Sequence, residues 1–398
     1  MKNILKNIEG DRAIWAIVGF LALLSFMPVY SASTNLVYVA NSGTTTYHLV
    51  KHVVLLFFGF LIIYGVHKIP YRYFSGGSVL MLPLVIVLLI YTLSKGTIIG
   101  GANASRWIQI PFIGVGFQTS TLAGLVLMVF VARYLARNKD KVIVFKESLW
   151  QLWLPVAVTL IFILPANFST TAIIFSMILM LTFIGGYPFK YLASIVGFGV
   201  VIFALFVLMT KAFPTLMPNR VDTWISRIEN FSDKNAEEGY QVEKAKIAIA
   251  SGGLHGKGPG KSVQKNFLPQ SSSDFIFAII VEEYGLIFGA LTVVLMYFLL
   301  TFRFVVAAKK ATTVFATLLI IGVGIPIIFQ ALINMAVAVN LFPVTGQTLP
   351  LISSGGTSIW MTCFAIGIVL SVTADKQKEV NTDSEDQNPL DILHEAID

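Results

Sequence analysis

The chain has 398 residues, of which 56% are hydrophobic and 12% charged, with a mean hydropathy of +0.78. A water-soluble core does not need that much apolar surface, so an ordinary soluble domain is excluded. The formal charge of +7 is unevenly spread: residues 375–398 hold eight acids and two lysines, which leaves +13 on the rest, a balance that suits anionic headgroups and argues against nucleic acid as a partner.

Apolar runs fall at 13–32, 49–67, 77–94, 118–136, 149–164, 168–186, 190–210, 275–302, 312–339 and 353–374. About 20 apolar residues cross the hydrocarbon layer as a helix. The pattern predicts an all-α polytopic membrane protein with about ten transmembrane helices. The first run lacks a small-x-small exit site and reads as the first span, not as a cleaved leader. The fifth and sixth are separated only by LPANFS, which predicts a tight helical hairpin. Cys363, the one cysteine, lies inside an apolar run, so no disulfide forms within the chain.

Lysine and arginine placement sets the orientation. With the N-terminus inside, inner segments and the adjoining span ends hold sixteen basic residues, and the short outer segments hold only Lys51, Lys95 and Arg106. Both termini are then cytoplasmic, and the long segment 211–273, with the remaining nine, is an outer loop. The expected organisation is a membrane domain over 1–374 and an acidic, disordered cytoplasmic tail over 375–398.

Within the outer loop, NRVDTWISRIENF has Val221, Trp224, Ile225, Ile228 and Phe231 near helical spacing, which suits a helix lying in the interface. GYQVEKAKIAIASGG reads as a helix with a glycine stop. HGKGPGKS follows at 255–262 and ends like a nucleotide-binding P-loop. The pattern fails, because His255 stands where its first glycine belongs and a polar loop follows instead of a helix. An anion cradle outside the membrane would serve a phosphate presented at the outer surface, such as a lipid-linked pyrophosphate. Gly256, Gly258 and Gly260 would let backbone amides approach it. Lys257 and Lys261, with Arg220 and Arg227 behind them, would supply charge. The bland alternative is a basic loop touching headgroups.

Asp274 closes the loop where the chain enters apolar surroundings, a costly place for an ionisable group. It reads either as a functional carboxylate or as a helix N-cap. Glu282 and Glu283 follow roughly 12 Å further along a helix. They suit a proton path, a cation site or pairing with a base such as Lys51. His48 and His52 in HLVKH form an i, i+4 pair with no third ligand in view. GANASRWIQI places Arg106 and Trp107 in an outer loop, as interfacial anchors or ligand contacts. PVTGQTLPLISSGGTS, residues 343–358, reads as irregular outer backbone lining a cavity. Its Ser354, Gly355 and Gly356 are candidate substrate contacts.

GANASRWI, GGLHGKGPGKSVQKNFLP after GYQ, SDFIFAIIVEEYG and QALINMAVAVNLFPVTGQTLPLISSGGTS stand in this order on the ten-span frame. On these motifs the chain resembles the SEDS family (shape, elongation, division, sporulation) over residues 10–375, its FtsW branch more than RodA. The resemblance implies a peptidoglycan glycosyltransferase that polymerises lipid II at the outer face of the cytoplasmic membrane. It implies that Asp274 is the essential loop acid, with Arg106 and Trp107 at the family's Arg-Trp position. It also implies a class B penicillin-binding protein and division regulators as partners. A divalent cation, Mg or Mn, is compatible with Asp274, and the motifs fix no ligand set for it. The chain departs from the family at Gln270 and Ser272 (family Glu and His), at Asn167 (family Asp) and at Thr345 (family Lys). Competing readings are a lipid II flippase or another transporter working through Glu282 and Glu283, and a non-catalytic scaffold docking through the acidic tail. No internal repeat of the transporter kind is present.

Overall fold

The computed structural model describes residues 9–38, 43–96, 106–109, 116–212 and 239–385. Helices α1 (Arg12–Ala32), α2 (Thr34–Tyr38), α3 (Thr45–Val66) and α4 (Arg72–Lys95) come first. A short antiparallel pair follows, β1 (Trp107–Gln109) and β2 (Gly116–Gln118), with Trp107 opposite Gln118. Next are α5 (Thr119–Arg137), α6 (Phe145–Ser148), a π-helical turn at Leu149–Trp153, α7 (Leu154–Ile163), α8 (Phe168–Ile184) and α9 (Phe189–Ala212). The last part holds α10 (Tyr240–Gly252), α11 (Ile276–Gly285), a second π-helical turn at Leu286–Leu291, α12 (Thr292–Lys310), α13 (Val314–Ala338) and α14 (Thr357–Glu385).

Helix occupies each of the ten apolar runs. Seven helices, counting Ile276–Lys310 as one, are long and apolar enough to cross a membrane, and Phe168–Ile184 and Phe189–Ile202 are shorter apolar helices. The chain is a multi-pass helical membrane protein. Three details differ from the sequence expectation. The β1–β2 pair is a small strand element in an otherwise helical chain. Helix α14 runs on past residue 374, the expected edge of the membrane domain, to Glu385. The eighth run is not one straight helix, because Gly285 (φ 78, ψ −176) breaks it between α11 and the π-helical turn.

Helices α5, α13 and α14 are the most buried. Helix α5 packs against α4, α8 and α13, and α14 packs against α3 and α13. Between apolar helices in lipid, association depends on close van der Waals fit, and small residues permit it. A Cβ on Gly59 would lie 2.7 Å from Cys363 Sγ, and one on Gly367 would lie 2.8 Å from Val66. Polar clamps add direction. Ser25 Oγ donates to the Ala22 carbonyl at 2.6 Å, so His52 Nε2, 2.8 Å away, is the donor to Ser25 and joins α3 to α1. His52 is thus committed to a helix contact, and among the described residues no three His, Cys, Asp or Glu side chains converge on a metal position.

Long-range contacts sort the helix ends into two groups, as alternating crossings require. At one end Asp11 pairs with Arg303, its amide donates to Thr373 Oγ1 at 3.1 Å, and Ser371 donates to the Ile69 carbonyl. Asp11 also caps α1 by accepting from Ala13 N at 2.8 Å. Asp11→Ala is expected to cost about 1–2 kcal/mol through the lost cap alone, read as a lower unfolding temperature in detergent. The other end gathers Ser31, Arg106, Ala166, Asn167, Asp274, Gln347 and Ser353.

Candidate active site at the Asp274 turn

Asp274 lies in the turn that precedes α11. Helix α11 starts at Ile276, with Phe275 at its cap position and no side-chain cap bond. The Asp274 carboxylate is therefore not spent on capping. The turn closes on Gln270, which has φ 61 and accepts from the amides of Ser273 and Asp274 at 3.0 and 3.1 Å. Its carbonyls reach across to the 343–358 loop. Ser354 N donates to Ser272 O at 2.9 Å, Ser353 Oγ to Ser273 O at 2.6 Å, and Asn334 Nδ2 of α13 to Asp274 O at 2.8 Å. Gly346 lies beside the carboxylate: a Cβ there would be 3.6 Å from Asp274 Oδ2.

The Asp274 side chain is half-buried. Desolvation pushes its carboxyl up to about 6, while a hydrogen bond from Ser273 and the Arg106 charge pull it back. Arg106 precedes β1 and donates from Nε to the Ala166 carbonyl at 2.8 Å. Asn167 then caps α8 through Thr170 N at 3.3 Å, and Gln347 Nε2 contacts Thr170 Oγ1 at 3.4 Å. The start of α8, the Arg106 segment, the 343–358 loop and the Asp274 turn thus meet at one end of the bundle. A small cleft lies beside Arg106, lined by Thr92, Thr119, Ser120, Phe162 and Asn167. Trp107 is half-buried in β1.

The HGKGPGKS loop has a different set of partners from the phosphate expected of it. Lys257 N and Gly258 N donate to the carbonyls of Glu282 and Glu283, at 3.0 and 2.9 Å. In return Leu286 N and Ile287 N donate to the carbonyls of Gly253 and Leu254, at 2.9 and 3.1 Å. The loop therefore supplies the backbone groups that the break at Gly285 takes away from α11. Only glycine allows so close a crossing: a Cβ on Gly256 (φ 79) would lie 2.3 Å from the Glu283 carbonyl oxygen. Gly256→Ala is expected to destabilise the fold by on the order of 3 kcal/mol, visible as a sharp fall in unfolding temperature.

The loop is an anion cradle, and the anions are the chain's own. Glu282 accepts from Lys257 Nζ at 2.7 Å, from the amides of Val263 and Gln264 at 3.1 and 3.2 Å, and from the Ser262 hydroxyl. Glu283 accepts from the Ser31 hydroxyl of α1 and from Ser262 N at 3.3 Å. Both carboxylates are buried. Lys257, Gly256 and Gly258 are thereby engaged with α11, a role that the phosphate reading did not anticipate. Lys51 is exposed on α3, and the base that meets Glu282 is Lys257 instead. Gly260 (φ 75) and Lys261 are exposed. Arg220 and Arg227 lie outside the described residues. Ser354 ties the 343–358 loop to the Asp274 turn, and Gly355 packs on Thr348 and Ser358, one residue before Gly356 (φ 46). The α13 side chains Gln330 and Asn334, which no sequence argument singled out, brace this loop. Their signal was two polar residues one turn apart in an apolar helix.

A many-helix membrane protein with a half-buried aspartate at the bundle end where irregular loops meet, under the charge of an arginine from a neighbouring loop, is the class this structure defines. The family model described as cell cycle protein, FtsW/RodA/SpoVE, matches residues 11–378, and the chain belongs to that family. A probable peptidoglycan glycosyltransferase FtsW of Hydrogenovibrio crunogenus is 32% identical over 382 residues, 94% of each chain. Its counterpart in Nitrosomonas europaea is 30% identical over 374 residues, 92% of each. Among solved structures, a chain from work on the structural coordination of polymerization and crosslinking by a peptidoglycan synthase complex superposes with a TM-score of 0.69. It is 23% identical and covers 92% of this chain and 98% of its own. The rod shape determining protein RodA of Thermus thermophilus gives 0.64 at 22% identity, over 92% and 97%.

Proposed function

We propose that this chain is a peptidoglycan glycosyltransferase that polymerises lipid II at the outer face of the cytoplasmic membrane, in cell division. The observation that carries this reading is the placement of Asp274: a carboxylate free of capping duty, beside Gly346 and under the charge of Arg106. The relatives named FtsW support the division role. Both termini are cytoplasmic on this reading, residues 1–374 form the catalytic membrane domain, and a class B penicillin-binding protein is the partner.

The reaction joins C4–OH of one sugar to C1 of another. An α-linked donor gives a β link, so a single displacement with one base suffices. The hydroxyl proton passes to the Asp274 carboxylate as the C4–O bond to C1 forms. The bond from C1 to the pyrophosphate oxygen breaks, and its electron pair leaves with the lipid pyrophosphate. Positive groups placed where that charge grows stabilise the transition state. Arg106 is the foremost of them, with exposed Lys261 the next candidate and Arg220 and Arg227 behind. Ser354, Gly355 and Gly356, in the loop tied to the Asp274 turn, and Trp107, next to Arg106, are the candidates for contacts with the sugar chain.

Glu282 and Glu283, the residues a transport mechanism would use, are hydrogen-bonded to the chain's own loop, which leaves that reading without its acids. The test is the purified protein with lipid II and a class B penicillin-binding protein. Glycan polymer that is absent with Asp274→Asn supports the enzyme. Polymer undiminished in that variant removes Asp274 as the base, and no polymer from the unaltered protein favours transport or scaffolding.

A further inference from the structure

Asp274 sits on a turn, so its aim depends on what its main chain is tied to. We propose that Asn334 is a positioning residue for the transfer reaction, holding the Asp274 turn and the Gly346–Gln347 backbone at a fixed separation through one amide nitrogen. This rests on the glycosyltransferase reading above.

Three consecutive carbonyls of the turn are held from outside it, those of Ser272, Ser273 and Asp274. The first two bonds come from the 343–358 loop itself and join two loops to each other. The third differs in kind. Asn334 Nδ2 donates to Asp274 O at 2.8 Å and to Gln347 O at 2.7 Å, so one atom on α13 spans both sides of the site. A primary amide has the two N–H donors on one nitrogen that this needs, and a carboxylate in its place would bring two further oxygens to the same two carbonyls. The orientation of the amide follows from its partners, because the flipped form would set oxygen against oxygen.

Asn334 is 1% exposed, and its Oδ1 is buried with no hydrogen-bond partner among the described residues. Leaving a buried acceptor unmet is unfavourable. An apolar side chain of similar size would spare that oxygen but strip Asp274 O and Gln347 O of their donor, so the bridge made by the nitrogen is what asparagine supplies here. Gln330, one turn earlier on the same face, donates to Thr348 O and Thr348 Oγ1, both at 3.0 Å. Helix α13 is thus the rigid member against which both loops are registered. Gly346 adjoins Gln347 and lies beside the Asp274 carboxylate, so the Asn334 bridge sets the width of the opening in which the acceptor hydroxyl must meet its base.

The test uses the full chain with a class B penicillin-binding protein and lipid II. It compares kcat, KM and the pH dependence of kcat for the unaltered protein, Asn334→Leu and Asn334→Asp. The bridge predicts a fall in kcat of about 10–100-fold, the scale of a misplacement near 1 Å, with KM changed by no more than about threefold. For Asn334→Leu, which adds no charge of its own, it also predicts that the acid limb moves, because a shifted Asp274 meets the Arg106 charge differently. Asn334→Asp has nearly the volume of asparagine and carries the test if the leucine variant does not fold. Either folded variant keeping kcat within about twofold overturns the inference. So does a fall in kcat with the acid limb unmoved, which marks a merely structural residue. No polymer from the unaltered protein would instead overturn the glycosyltransferase reading, and this inference with it.

Discussion

Asp274→Asn is expected to abolish glycan polymerisation while the protein folds and binds lipid II as before. Asparagine has nearly the same shape and keeps the main-chain bonds of the turn to Gln270 and Asn334, but it cannot accept a proton at neutral pH. A positioned base contributes about 10²–10⁴-fold, enough to take the reaction below detection in a gel-resolved polymer assay. The same residue sets the pH dependence. Burial disfavours its charged form and raises the carboxyl to about 6. The base works deprotonated, so the rate should climb with pH up to about 6 and level off above it, falling about tenfold per unit below. Arg106 opposes that rise, so Arg106→Gln should move the acid limb to higher pH as well as slow the reaction. A flat profile from pH 5 to 8, or an Asp274→Asn enzyme within tenfold of the unaltered one, would remove the carboxylate from the chemistry.

Glu282→Ala is expected to lower stability about as much as Gly256→Ala. The carboxylate it deletes meets Lys257, Ser262, Ser251 and two backbone amides. Its loss leaves donors in a buried site with no acceptor. Breaking a buried charge pair from one side costs roughly 3–5 kcal/mol. Lys257 is about a third exposed and can turn to solvent, which places the expectation near the lower end of that range. The check is thermal unfolding in detergent, with protease sensitivity across residues 253–265. The Glu282→Ala, Lys257→Ala double variant should be less destabilised than the sum of the singles, since the two share one interaction. Additive losses would mean that the pair does not anchor the loop.

Much of the fold could be read from apolar run lengths, because lipid leaves the backbone few alternatives to helix. The break at Gly285 could not. A lone glycine in an apolar run is compatible with a helix, and the groups that take up the broken bonds come from Gly253 to Gly258, about thirty residues earlier. One glycine of HGKGPGKS, Gly256, does make a close backbone approach. What it approaches was not legible, since a phosphate and a carboxylate offer an N–H group the same kind of acceptor oxygen. Asp274 stood out as an acid at an apolar boundary, and Arg106 as the cation of an outer loop. That the charge of one acts on the other depends on how the segments that carry them are brought to one end of the bundle, which no local pattern encodes. Asn334 escaped notice for the same reason: its two partners lie 60 and 13 residues away.

The seam between residues 253–258 and α11 bears on how the protein is made. A half-helix with a positive-φ residue at its end presents unpaired amides and carbonyls, which hydrocarbon does not tolerate. Its complement lies upstream, so the ribosome delivers it first. In the orientation proposed above, the glycine-rich strip reaches the outer side before residues 282–287 emerge, so the two halves can close together as α11 enters and its broken end need not meet hydrocarbon with bare peptide groups.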